Sequence, residues 1–211
     1  MDQLLEEIMA LLLDLDGTIV RFPIDWSRFY KFLREMGIEL KFLEFIRRFW
    51  GTEVFWRSHE YLSSLELEAL QRVEVYEKVS DLLERISRRT PVAIVTFQSR
   101  RAAEEALRVA GIDHVVKTIV SRDDGGSRLT QLRLALSRLG ASPEGSFFVG
   151  DKVNDAIAAL LCGVRCVLVF RGLRESRISE SDDILEDLNS WGVPTFSSLR
   201  DALRFVERSL P

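Results

Sequence analysis

The sequence predicts an α/β fold: a doubly wound parallel sheet with a small all-helical insert after the first strand. Three observations carry this. Short apolar runs rich in β-branched residues alternate with amphipathic helical patterns along most of the chain, and such alternation implies parallel strands covered by helices on both faces. One stretch, 21–75, breaks the alternation with helical patterns alone. Two of the apolar runs end in aspartates, at the sheet edge where folds of this kind bind their ligands.

Taken in order, the apolar run Ile8–Leu13 is the first strand. The insert follows, punctuated by Pro23 and Gly51 and rich in aromatics: Trp26, Phe29, Tyr30, Phe32, Phe42, Phe45, Phe49, Trp50, Phe55, Trp56 and Tyr61. Most of these are expected to form its own core, and a few to shape a pocket. Alternation resumes with an amphipathic helix at Glu77–Arg88, a strand at Val92–Thr96 and a helix at Arg100–Ala110. A strand at Val115–Val120 follows, then the polar, Gly-containing stretch Arg122–Ser127, the nearest thing to a linker, and a helix at Thr130–Leu139. The remaining elements are a strand at Phe147–Gly150, a helix at Asp155–Cys162, a strand at Arg165–Val169, a short strand at Val193–Phe196 and a helix from Ser198 to Ser209. The expected organisation is a core of residues 1–20 and 76–211 with a helical cap of residues 21–75.

Composition narrows the function classes. The 211 residues are 46% hydrophobic and 29% charged, with a formal net charge of −4, which gives no general attraction to nucleic acid or an anionic membrane. The acidic start and short apolar run do not resemble a signal peptide, so a cytoplasmic protein is expected. Cys162 and Cys166 flank Gly163 without a nearby histidine, which reads as buried free thiols rather than a zinc site.

The chemistry is concentrated at strand ends. Leu11–Leu13 leads into Asp14-Leu15-Asp16-Gly17-Thr18. In extended backbone, positions i and i+2 share a side, so Asp14 and Asp16 can reach one substrate. An aspartate can attack phosphorus and form an acyl phosphate, while a second acid protonates the leaving oxygen and then activates water. Gly17 permits an unusual backbone angle at the turn. Far downstream, Phe147–Gly150 ends in Asp151, with Asp155 opening the next helix. Four carboxylates at neighbouring strand ends would repel one another unless a cation sits among them, and magnesium takes such hard oxygen ligands. Between these motifs, Thr96 ends its strand with a hydroxyl suited to a phosphoryl oxygen, and the backbone N–H groups that follow, at Phe97 and Gln98, can help at a helix start.

These pieces, in this order, resemble the haloacid dehalogenase superfamily of phosphohydrolases. The insert's position resembles the phosphoglycolate phosphatase-like branch. The resemblance implies a Rossmann-like core with Asp14 as nucleophile and metal ligand. Asp16 would be the acid/base and give the metal its backbone carbonyl. Thr96, Phe97, Gln98, Gly17 and Thr18 would hold the substrate, and Asp14, Asp16, Asp151 and Asp155 would hold Mg2+. An acid at position 16 disfavours dehalogenation, whose halide leaving group needs no proton. The sequence departs from the family pattern at one point. Where a lysine is usual, the stretch 121–130 has none, and Arg128 lies nearest the expected place; the alternatives are Lys117, placed too early within its strand, and Lys152, inside the last motif. The expected activity is a magnesium-dependent phosphatase acting on a small phosphorylated metabolite. The rival readings are a phosphomutase of the same family and a non-catalytic metal- or phosphate-binding module. His59 and His114 read as isolated, and Arg100, Arg101 and the other arginine pairs as solvated.

Overall fold

A computed structural model of the chain describes residues 8–171 and 187–211. Its main sheet has six strands. In chain order these are β1 (Leu11–Leu13), β4 (Val92–Val95), β5 (Val116–Val120), β6 (Phe147–Gly150), β7 (Arg165–Val169) and β8 (Thr195–Phe196). They lie in the order β5-β4-β1-β6-β7-β8 and every pairing is parallel. The doubly wound prediction holds.

The sheet separates two apolar clusters by the alternation of side chains along each strand. Leu11, Leu13, Val92, Ile94, Phe147 and Val149 face one cluster, and Leu12, Ala93, Val95 and Phe148 face the other. The first cluster takes α4 (Ser80–Ser87), α5 (Arg100–Ala110) and α8 (Leu199–Ser209), through residues such as Leu83, Ala103 and Leu203. The second takes α6 (Arg128–Leu139) and α7 (Val153–Cys162), through Leu132, Ala135, Ala156 and Ala159. Each fully buried leucine of β1 contributes about 2 kcal/mol of burial energy, so the strand is anchored although only three residues long.

The helical insert comprises α1 (Trp26–Glu35), α2 (Phe42–Phe49) and α3 (Glu53–Ala69). Phe29, Phe45 and Phe55 are buried and join the first cluster, so the insert's apolar interior runs on into that of the sheet. Trp50 and Trp56 are instead exposed. Two strands that the sequence did not suggest close the insert: β2 (Val20–Arg21) and β3 (Glu74–Val75) pair antiparallel, Val20 opposite Val75. Two residues each are too few to show a period-two pattern, which is why they are illegible locally.

Boundaries shift where hydrogen bonds decide them. β1 begins at Leu11 rather than Ile8, because Ile8 is exposed and Ser146 Oγ accepts the Ala10 N–H. α6 begins at Arg128 rather than Thr130, because Ser127 caps it by accepting the Thr130 N–H. The polar stretch after β5 is no linker. Arg122 is the bulkiest fully buried side chain among the described residues, and Gln131 pins the stretch by donating to the carbonyls of Thr96, Ser121 and Gly125.

Candidate active site

The strand register builds the site. Leu13 lies beside Ile94 on one side and Val149 on the other, so the residues just beyond, Asp14, Thr96 and Asp151, emerge at one edge of the sheet. The Asp14 N–H donates to Val149 O and the Thr96 N–H to Val120 O, which carries the pairing one residue past the strands. Beyond Asp14 the chain folds back, with Ile19 and Val20 N–H both donating to Leu15 O and Gly17 N–H to Val20 O. Gly17 holds φ +95°, and a Cβ there would lie 2.1 Å from Asp151 Oδ2. Glycine is needed twice over, for the left-handed angle and for the approach of the second acidic motif.

Asp14, Asp151 and Asp155 each offer a carboxylate oxygen within 4.8 Å of the others. The carboxylate of Asp16 is not one of the three; it accepts the Phe22 N–H at 2.9 Å and so faces the entry to the helical insert. Its backbone carbonyl does reach the cluster, 3.5 Å from Lys152 Nζ.

Two cations enter the cluster. Arg128, the first residue of α6, donates from Nε to Asp155 Oδ1 at 2.9 Å and pairs through Nη2 with Asp14 Oδ1 at 3.0 Å. It also donates to Val95 O, and its guanidinium lies 4.7 Å from the centre of the Phe97 ring. Burial pulls the Arg128 pKa down, and Asp14 and Asp155 more than reverse that pull. Lys152 Nζ lies 3.1 Å from Asp151 Oδ1 and 3.8 Å from Asp14 Oδ2. Its pKa rises because these acids outweigh the loss of solvent. Burial lifts the Asp14 carboxyl to about 7, with Arg128 opposing and Asp155 reinforcing the rise, and burial likewise raises Asp151.

The arrangement fits a divalent cation. Asp14 Oδ2 is buried and accepts no hydrogen bond from the described residues. The Lys152 ammonium sits among the Asp14 and Asp151 carboxylates and the Asp16 carbonyl, so positive charge already gathers where three hard oxygens converge. Asp155 is more fully occupied, accepting from Arg128 and from the Lys152 backbone N–H as a helix cap.

Thr96 is wholly buried beside this cluster. Its hydroxyl accepts the Gln98 N–H at 3.2 Å and donates to the Gln98 side-chain carbonyl. Thr18 is also buried, and its hydroxyl has no hydrogen-bond partner among the described residues.

Several side chains escaped the sequence reading. Arg171 donates to the carbonyls of Gly17 and Thr18 at 2.6 and 2.8 Å, packs on the Tyr76 ring and pairs with Glu77. Glu66 and Arg122 form a buried ion pair. His59 is not isolated: Nδ1 accepts from Arg122 Nε and Nε2 lies 3.3 Å from Asp123. Nor is Arg100 simply solvated, since it pairs with Asp124. No local pattern announces these residues, because each partner is distant in sequence. Of the two cysteines, Cys166 is buried and Cys162 only partly so; both are free thiols.

Known proteins share the fold and part of the sequence. A pyrophosphatase PpaX from Oceanobacillus iheyensis is 28% identical over 123 residues, 55% of this chain and 58% of that protein. A pyrophosphatase PpaX from Bacillus cereus is 30% identical, over 60% of this chain and 62% of that protein. Phosphoglycolate phosphatase 1 from Pseudomonas aeruginosa is 30% identical, over 49% of this chain and 40% of that protein. The matches thus span about three-fifths or less of these relatives' lengths. Among solved structures, a hydrolase from Pseudomonas syringae superposes with a TM-score of 0.69 at 19% identity, covering 95% of this chain and 98% of that one. CbbY from Rhodobacter sphaeroides in complex with phosphate does so with a TM-score of 0.63 at 20% identity, covering 92% and 96%. At such identities these two speak to the fold. The family model for haloacid dehalogenase-like hydrolases matches residues 11–169, from the first residue of β1 to the last of β7, and the chain belongs to that family.

Proposed function

We propose that the protein is a magnesium-dependent phosphatase that hydrolyses a small phosphomonoester through a phospho-Asp14 intermediate. The observation that carries the reading is the convergence of Asp14, Asp151 and Asp155 on one point beside Arg128. The helical insert, residues 21–75, serves as a cap that excludes water during transfer and contacts the substrate.

Magnesium held by Asp14, Asp151 and the Asp16 carbonyl, with Asp155 behind them, would supply positive charge against the substrate phosphate. The chain's own groups do the rest. The Thr96 hydroxyl and the N–H groups of Phe97 and Gln98 orient the phosphoryl oxygens, with the Gly17–Thr18 turn beside them. This requires both the Gln98 side chain and the Gln98 N–H to release the Thr96 hydroxyl. Arg128 holds Asp14 in place and offsets its charge. An Asp14 carboxylate oxygen then attacks phosphorus as the bond to the leaving oxygen breaks, and Asp16 protonates that oxygen. Asp16 next takes a proton from water, which attacks the acyl phosphate, frees phosphate and restores Asp14.

The test is phosphate release from an aryl phosphate and a panel of sugar and organic-acid phosphates. Pyrophosphate and 2-phosphoglycolate belong in the panel because the matched relatives carry those names. Magnesium-dependent release that is lost in Asp14→Asn supports the reading. Folded, magnesium-binding protein that releases phosphate from nothing refutes it.

A further inference from the structure

The turn after Thr96 is held from outside the sheet by two residues that no metal or phosphoryl contact requires. Glu66 on α3 is 1% exposed. Its Oε1 accepts Arg122 Nη1 at 2.6 Å, and its Oε2 accepts Arg122 Nη2 at 3.2 Å and the Ser99 N–H at 3.0 Å. Arg122 then grips the same turn. Its Nη1 donates to Phe97 O at 2.6 Å and its backbone N–H to Gln98 O at 3.1 Å. Two carbonyls and one N–H of Phe97–Ser99 are therefore fixed by this pair. The grip continues into the helical insert. Arg122 also donates to His59 Nδ1 and Ser63 Oγ, which share a face of α3 with Glu66, and Trp50 Nε1 donates to Arg122 O. Trp50 itself covers Gly126, where a Cβ would meet the indole at 2.6 Å.

A buried ion pair is a poor device for stability alone, since apolar residues of like volume serve as well. Here its hydrogen-bonding capacity goes to the turn that presents Thr96, Phe97 and Gln98. We propose that Glu66, acting through Arg122 and Ser99, is a positioning residue by which the docked helical insert shapes the phosphoryl-binding turn. The inference rests on the phosphatase reading of that turn. It deepens it by assigning to the insert a role in phosphate affinity as well as in covering the site.

The experiment measures binding of inorganic phosphate by calorimetry at saturating magnesium, magnesium binding alone, and the kcat and KM of phosphate release. It compares the full chain with Glu66→Gln and with the double variant Glu66→Leu/Arg122→Met. The double variant removes both charges together and so keeps the fold if the single variant loses it. Small misplacements of binding groups carry large penalties, so phosphate affinity should fall about ten- to hundredfold and KM rise in step. Magnesium affinity should stay within about twofold of wild type, because neither residue touches Asp14, Asp151 or Asp155. Phosphate affinity unchanged in a folded variant overturns the inference, as does a parallel loss of magnesium and phosphate binding. A wild-type chain that neither binds phosphate nor releases it overturns the phosphatase reading first and this inference with it.

Discussion

Replacing Asp14 with asparagine should stabilise the metal-free protein while abolishing phosphate release. Asp14 is 2% exposed and its carboxyl titrates near 3.8 unfolded but about 7 folded, chiefly because burial penalises the charge. The sign follows from where the proton is held more tightly. Between these values the folded chain keeps a proton that the unfolded chain has lost, so stability falls as pH rises and the loss is complete above pH 7. The difference integrates to about 4 kcal/mol by pH 8 and to less than half of that at pH 5. Asparagine keeps the shape of the protonated acid and carries no charge. In chelator, Asp14→Asn should therefore exceed wild type by about these amounts, with a gap of roughly 10 °C in Tm at pH 8 for a chain of this size. Urea and thermal denaturation at the two pH values measure it. Magnesium should narrow the gap, since it stabilises the protein that keeps the carboxylate. Equal stabilities at pH 8, or the same gap at both pH values, would refute the reasoning.

Three further expectations concern the neighbours of Asp14. Arg128 bridges Asp14 and Asp155, so Arg128→Met should cost about 3–5 kcal/mol in urea unfolding by leaving two buried acids without their cation. Arg128→Lys should recover part of that, and indifference to both changes would deny the bridge. Lys152 places its charge beside the oxygens that would hold a metal, so Lys152→Met should bind magnesium about tenfold more tightly. Calorimetry that finds weaker binding would show that Lys152 does not compete. Gly17→Ala should cost at least about 2 kcal/mol through the left-handed angle and the contact with Asp151. Gly140→Ala, at φ +62° with open space around it, should cost only about 1 kcal/mol. Comparable losses at the two glycines would remove the steric part of the argument.

The sequence by itself determined the layering of the fold. Strand-helix alternation and the period-two and helical patterns are local, and each element needs only its own residues to show them, so helix Arg100–Ala110 and strands Phe147–Gly150 and Arg165–Val169 fall where expected. It also showed the acidic strand ends, because a motif at a strand end has a fixed place once the sheet is parallel, while Arg128 was singled out only by the resemblance to the family pattern, as the residue nearest the usual lysine. Only the tertiary structure decided how these residues are partnered. It brought Lys152 beside Asp14, turned the Asp16 carboxylate toward Phe22, and made Arg122 a buried hub instead of part of a polar, linker-like stretch. Glu66 and Arg122 are 56 positions apart, and Arg171 and Gly17 are 154 apart. Residues so far apart in the chain meet only when the sheet, the loops and the helical insert are assembled, and no local pattern encodes that meeting.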